Sequence, residues 1–329
     1  MQIFQDLTEA IESFGAGSCA WQDALTKAEL RKMESEHSEP EEPPSALLGL
    51  DGLALEYSWQ ELVQATESFA PERLLGFGAS GMVYRGLLCE GTEAAVKVIE
   101  APTAGGFDEE VRLLSRCRHP NVVLLLGFAE EAVGSARARR DSRRCALVYE
   151  LLSGGDLHRR LQSEIPYLAE SRLRTATEVC RGLAHLHKHR PEIFHRDIKS
   201  QNIIFSSDGI AKIADFGLAC TASSRDAREL LTTRVAGTLG YSDPLYAATG
   251  VLSESSECYS FGQVLIELLV GRPPAVLADD GKSCVLLAPS ERGHKALQQQ
   301  TVRDPKYKTT TKTTTARTKT IFTLQQRGL

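Results

Sequence analysis

Between Leu74 and about Val98, apolar side chains alternate with polar ones in short runs broken by glycine. That period of two predicts β-strands. An amphipathic helix is predicted over Phe107–Cys117, followed by two strand-like runs, Val122–Phe128 and Cys145–Tyr149. Beyond Gly155 a period near 3.6 takes over and predicts helices at Asp156–Gln162, Glu170–His187 and Glu257–Val270. Short strands, Ile203–Phe205 and Ala211–Ile213, fall between them. A β-rich half followed by a mainly helical half predicts an α+β fold of two lobes, 74–150 and 151–274, entered through a lead-in at 57–73.

The ends of the chain are patterned differently. Ile3, Phe4, Leu7, Ile11 and Phe14 are spaced for short amphipathic helices within 1–33, broken at Gly15 and Gly17. Residues 34–56 begin with an acidic, proline-rich stretch that reads as a solvated linker. After Pro274 the regular pattern fades: 275–300 holds one modest apolar run, Cys284–Ala288. Residues 301–329 are basic and threonine-rich, a composition that predicts disorder.

Composition narrows the classes. Apolar residues make up 42% of the 329, ordinary for a soluble globular chain. A formal net charge of −5 gives no whole-molecule case for nucleic acid or acidic membranes. The eight cysteines form no C-x-x-C pair, which favours free thiols in a reducing cytosol over a disulfide framework. No stretch has the roughly 18 consecutive apolar residues of a membrane-spanning helix. MQIFQDLTEA lacks the pattern of a secretory signal, and Gln2 excludes N-myristoylation, so a cytoplasmic protein is expected.

Four motifs carry chemistry. The first is Leu75-Gly76-Phe77-Gly78-Ala79-Ser80-Gly81-Met82-Val83, in a strand–turn–strand setting. Its glycines would let backbone N–H groups approach phosphate oxygens, and Val83 would cover an adenine ring. A lone glycine pattern is also compatible with an ordinary turn. Sixteen residues beyond Gly81, Ala95-Val96-Lys97 places a lysine on an apolar strand, where its charge needs a partner. Glu110, on the following amphipathic helix, is the natural one, and the pair would present Lys97 to the α- and β-phosphates of ATP. His195-Arg196-Asp197-Ile198-Lys199-Ser200-Gln201-Asn202 and Asp215-Phe216-Gly217 complete the set. Asp197 would orient a hydroxyl and take its proton, Lys199 would steady the moving phosphoryl, and Asn202 and Asp215 would ligate Mg²⁺ through hard oxygens.

With these residues in order, the chain resembles the Pelle, interleukin-receptor-associated and plant receptor-like kinase group. The likeness is densest at Tyr57–Leu62, His195–Asn202, Val235–Tyr241 and Glu257–Pro273, and spans about 57 to 274. The resemblance implies a two-lobed protein kinase fold whose C-lobe is truncated. It also implies ATP and Mg²⁺ as cofactors, serine/threonine specificity through Lys199 and Thr238, protein substrates, and an upstream receptor or adaptor in signal transduction. Tyr149 would be the gatekeeper, Glu150 to Leu152 the hinge and Ile204 the floor beneath adenine. Leu114, Leu125, His195 and Phe216 would stack as an apolar spine. A second reading, a catalytically weak nucleotide-binding scaffold, is left open by the short C-lobe.

Arg196, beside the general base, calls for an anion, and phosphate on Thr232 or Thr233 would supply one. His185, His187 and His189 invite a metal reading. No nearby cysteine or carboxylate completes a ligand set, so they are read instead as histidines at a helix C-terminus. The arginine-rich run 137–144 reads as a solvated loop between two strands. Two departures from the family pattern stand out. Asp243-Pro244-Leu245 lacks the glutamate expected after the proline, and Glu257 stands where an aspartate is expected to brace the catalytic loop. The nearly all-apolar Val264–Val270 is expected to leave a patch that favours self-association.

Overall fold

Alternation along a single strand shows how the N-lobe is built. The computed structural model describes residues 54–78, 81–89, 91–100, 106–131, 144–224, 227–277 and 284–286. The expectations for 1–53, for the loop at 137–143 and for 287–329 lie outside them. β1 (Leu55–Glu56) leads into α1 (Trp59–Ala65), then β2 (Leu74–Gly78), β3 (Gly81–Leu87), β4 (Glu93–Glu100), α2 (Gly106–Arg116), β5 (Leu125–Glu130) and β6 (Arg144–Glu150). The strands form one sheet in the order β1-β5-β6-β4-β3-β2. Ala94, Val96 and Val98 of β4, with Ala146 and Val148 of β6, pack on one face with Leu62 of α1. Ala95 and Ile99, with Cys145, Leu147 and Tyr149, pack on the other face with Phe107, Val111 and Leu114 of α2. The period of two therefore divides each strand between an outer core and the cleft.

α1 has no counterpart in the strand and helix pattern read from the sequence, although its signal is there. The Ser58 hydroxyl accepts from the Glu61 N–H at 3.2 Å, and the Glu61 carboxylate accepts from the Ser58 N–H at 2.7 Å. This is a capping box, legible as Ser-x-x-Glu. Arg144 is not part of a solvated loop: it opens β6 and forms a two-point ion pair with Glu131 at 2.6 and 2.8 Å.

The C-lobe begins with α3 (Leu157–Gln162), capped by Asp156, and α4 (Ala169–Lys188). Short strands follow: β7 (Ile193–Phe194), β8 (Ile203–Phe205), β9 (Ala211–Ile213), β10 (Cys220–Thr221) and β11 (Glu229–Leu231). α5 (Pro244–Thr249), β12 (Val251–Ser253) and α6 (Glu254–Val270) come next. α6 stops at Gly271, whose φ of 73° suits only a residue without a Cβ penalty. The predicted helices and the β8–β9 pair stand where the periodicity puts them. Val122–Leu124 does not extend β5. Instead Val123 N–H donates to Ile213 O at 2.9 Å, which ties the end of the N-lobe to β9.

Beyond Pro274, β13 (Ala275–Leu277) and β14 (Cys284–Leu286) pair antiparallel, so the described part of the modest apolar run is a strand. On α6, Val264 and Leu268 are buried, Leu265, Ile266 and Val270 are half-buried, and Leu269 is exposed.

Candidate active site

The register of the sheet sets the first half of the site. Val83 of β3 pairs with Lys97 of β4, which pairs with Leu147 of β6, while Ala95 pairs with Tyr149. Lys97 is thus carried on the central strand of the cleft face. Its Nζ lies 3.3 and 3.4 Å from the Glu110 carboxylate oxygens and 2.9 Å from Asp215 Oδ1. The expected Lys97–Glu110 pair is formed, and it is almost wholly buried. Burial presses the ammonium pKa down, but the carboxylates of Glu110 and Asp215 outweigh it and hold it above the ordinary lysine value. Burial likewise raises the Asp215 carboxyl, and the Lys97 charge more than reverses this, leaving it below its usual range.

Tyr149 does more than line the cleft. Its hydroxyl donates to Glu110 Oε1 at 2.5 Å, and burial, with the Glu110 charge, pushes the phenol pKa well above 10.0. Nothing local in the sequence announces this contact, because 39 residues separate the two. Glu150, next along, receives the Leu124 N–H and the Lys212 ammonium, each at 2.8 Å. Ile204 sits on β8 opposite Lys212, and Leu152 packs against the main core.

The glycine-rich turn joins β2 to β3; Ala79 and Ser80 lie outside the described residues. Gly81 has φ 129°, and a Cβ there would collide with the Val98 carbonyl oxygen. Glycine is obligatory at that point. Gly76 and Gly78 lie in β2, where Leu75 is half exposed and Phe77, near the tip, is exposed.

The second half of the site is the loop after β7. Asp197 accepts from Lys199 Nζ at 2.6 Å on one oxygen and from the Thr238 hydroxyl at 2.6 Å on the other. Lys199 also donates to Thr238 at 2.9 Å, closing a triangle of base, cation and hydroxyl. The Asn202 amide donates to the Asp197 backbone oxygen at 2.9 Å and to its carboxylate at 3.0 Å, which leaves the amide oxygen for a cation. Arg196 and Asp215 both sit at positive φ, 69° and 63°. Such strain in non-glycine residues persists only where the surroundings enforce it, and it falls here on the two motif loops.

At Arg196 the backbone is held by the helix beneath. Glu257 of α6, fully buried, accepts the Arg196 N–H at 2.6 Å and pairs with His187 Nε2 at 2.9 Å. Burial raises its carboxyl, but His187 and the Arg196 N–H outweigh this and leave it lowered, hence ionised. The extra methylene does not prevent the brace. His195 packs edge-on against Phe216, centroids 4.7 Å apart, and both are buried with Leu114 and Leu125. Arg196 directs its guanidinium to Arg234 O at 2.7 Å and the Tyr246 hydroxyl at 3.0 Å. Of the two threonines nearby, Thr232 gives its hydroxyl to Gly250 O at 3.0 Å, whereas Thr233 is exposed. Asp243, in place of the family's alanine–proline–glutamate signal, caps α5 through the Leu245 N–H at 3.0 Å.

An ion-paired lysine on the central strand of the sheet and an aspartate held by Lys199 and Thr238 are the marks of a phosphotransferase site. The chain belongs to the protein kinase domain family, whose model matches residues 69–318. It is similar to the proline-rich receptor-like protein kinase PERK7 of Arabidopsis thaliana, 39% identical over 247 residues, covering 73% of this chain and 34% of that protein. The PERK3 kinase of the same plant is 41% identical over 234 residues, 68% of this chain and 43% of that protein. A probable receptor-like serine/threonine-protein kinase of Arabidopsis thaliana is 37% identical over 226 residues, 66% of this chain and 49% of that protein. The chain spans about a third to a half of the length of these relatives. The matched family span also continues past Pro274, where the sequence pattern fades.

Proposed function

We propose that this chain is a protein serine/threonine kinase transferring the γ-phosphoryl group of ATP to hydroxyls of protein substrates, in receptor-linked intracellular signalling. The observation that carries the reading is the Asp197–Lys199–Thr238 triangle, aligned with an intact Lys97–Glu110–Asp215 set. Asp197 is held so that a substrate hydroxyl can donate to it and give up its proton as the oxygen attacks. Lys199 lies beside that point and offsets charge on the transferring group. Lys97, kept cationic by Glu110, orients the nucleotide phosphates. Asn202 and Asp215 together offer hard oxygen donors, the chemistry Mg²⁺ requires, and would hold it; when bound it neutralises phosphate charge. The relatives' printed names, receptor-like and serine/threonine, support both the specificity and the receptor link.

Among the described residues, cysteines 89, 117, 145, 180, 220 and 258 are not joined in disulfides, which supports a reducing, cytoplasmic setting for the domain. No helix among the described residues is long and apolar enough to cross a membrane. Labelled ATP and Mg²⁺ with a generic protein acceptor test the activity directly. Wild type is expected to incorporate label on serine and threonine, and Asp215→Asn to fall to background. Equal, background incorporation by both overturns the reading in favour of a nucleotide-binding scaffold.

A further inference from the structure

The histidines that the sequence leaves without a cysteine acquire one in the fold. Cys117 directly follows α2, with its N–H donating to Leu114 O at 3.2 Å. His185 lies in the last turn of α4 and His189 is that helix's C-cap, four residues on and on the same face. One donor atom from each of Cys117, His185 and His189 lies within 4.8 Å of the others. The Cys117 Sγ and His189 Nε2 are 3.7 Å apart. In a tetrahedral site with Zn–S of about 2.3 Å and Zn–N of about 2.0–2.1 Å, a sulfur–nitrogen edge is about 3.6 Å. This pair therefore already stands at the spacing that a shared zinc ion imposes.

The surroundings suit such a site. The His185 and His189 rings are nearly perpendicular, 87°, with centroids 5.0 Å apart. His119 stacks on His185 at 4.8 Å and 21°, and its Nδ1 accepts the Asn121 N–H at 3.1 Å, which fixes the plane against which His185 rests. Neighbours that orient a ligating imidazole are a regular part of metal centres. The C-terminal end of α4 carries the negative end of its dipole, favourable to a cation. Cys117 is buried while both histidines are half-buried, so an ion has a side from which to enter. A thiol–imidazole hydrogen bond alone accounts for the 3.7 Å contact, but not for the third donor converging on it. His187, Glu192 and Glu254 also converge, but there each ring nitrogen of His187 already faces a carboxylate, Nε2 that of Glu257 at 2.9 Å and Nδ1 that of Glu192 at 4.0 Å.

We propose that Cys117, His185 and His189 form a binding site for a zinc-class divalent cation, with three protein ligands and the fourth position open to solvent. On binding, a metal–sulfur bond forms as the S–H bond breaks, and the proton leaves to solvent. The two imidazoles coordinate in their neutral form, each keeping its other ring proton. The ion joins the end of α2, which carries Glu110, to α4 of the C-lobe, and so restrains the helix on which the Lys97 pair depends. Only this regulatory consequence rests on the kinase reading; the site itself does not.

Cobalt titration of the full, nucleotide-free chain tests it. Co²⁺ is expected to produce a near-ultraviolet thiolate-to-cobalt charge-transfer band saturating at one equivalent and bleached by Zn²⁺. Zn²⁺ is expected to raise the melting temperature. Cys117→Ser should abolish the band, and His189→Gln, on a half-exposed side chain, should weaken binding at least about tenfold. Cys89→Ser, an exposed thiol elsewhere, should change neither. A band that survives Cys117→Ser, or Zn²⁺ affinity equal in wild type and His189→Gln, overturns the proposal. Phosphoryl transfer is scored separately: an inactive chain that shows the band retains the site and loses the kinase reading, and an active chain without the band does the reverse.

Discussion

The two charged clusters that face each other across the cleft are assembled in opposite ways. Around Lys97 the partners come from α2, β6 and the loop after β9, separated in sequence by up to 118 residues. Around Asp197 the partners Lys199 and Asn202 lie two and five residues away, and only Thr238 comes from afar. The catalytic loop is therefore largely prebuilt, with Glu257 of α6 gripping its backbone. The Lys97 cluster exists only while the helix, the sheet and the Asp215 loop stand in register. It is the part of the site that a change in lobe packing can make or break.

The sharpest way to separate the clusters is to remove one function from each. Asp197→Asn is expected to lower kcat by about 10²–10⁴-fold, the usual contribution of a positioned general base, with nucleotide affinity unchanged. Lys97→Met is expected to cost about 2–3 kcal/mol of transition-state stabilisation, by comparison with loss of one oxyanion donor. Unlike the first variant, it should also weaken nucleotide binding and speed amide exchange in α2, because Glu110 loses its cation. Steady-state kinetics, nucleotide titration and hydrogen exchange on both proteins check this. If both variants lose affinity together, the clusters are not separable as the geometry indicates.

The same contrast explains what could be read in advance. The residues of the Asp197 loop are legible as a contiguous motif because their chemistry is local, and the helices and the β8–β9 pair follow from periodicity. Lys97 and Glu110 can be paired from the apolar strand and the helix position alone. The Tyr149–Glu110 bond, the reach of Glu257 to Arg196 and the approach of Cys117 to His189 depend on tertiary placement, which no window of sequence contains. β7, β10, β11 and β12 are two or three residues long, too short to show a period.

The brace beneath the prebuilt loop gives a smaller but structural effect. Glu257→Asp restores the residue expected from the resemblance but shortens the side chain that now accepts the Arg196 N–H at 2.6 Å. Losing a hydrogen bond to a buried charge costs about 1.5–3 kcal/mol, and urea denaturation should show a loss of that order. An unchanged midpoint would mean that α6 or the loop shifts to close the gap. On the other side of the cleft, Tyr149→Phe removes one neutral donor from a carboxylate that keeps Lys97. A loss at the low end of the same range, about 1.5 kcal/mol, is expected, with a smaller effect on kcat than Lys97→Met.

The smallest expected effect tests whether the C-lobe network is as settled as its geometry suggests. Glu267, wholly buried on α6, receives the Ser200 hydroxyl at 2.9 Å and the Tyr241 hydroxyl, and faces His158 Nδ1 at 3.4 Å. The hydrogen bond to Glu267 is the largest influence on His158; burial opposes it, and the net result is a pKa above the ordinary 6.5. A histidine raised on folding binds its proton more tightly in the folded state. The stabilisation is fully present below the unfolded value and is lost as pH rises through the folded one. Because the His158 side chain is 29% exposed, solvent screens the pair and its worth is about 0–1 kcal/mol. The stability difference between wild type and His158→Gln should therefore be larger at about pH 6 than at about pH 8, on either side of histidine titration. Chemical denaturation of both proteins at the two values measures it. A difference that stays flat, or grows with pH, would mean that Glu267 is satisfied by its two hydroxyls alone and that His158 is a bystander.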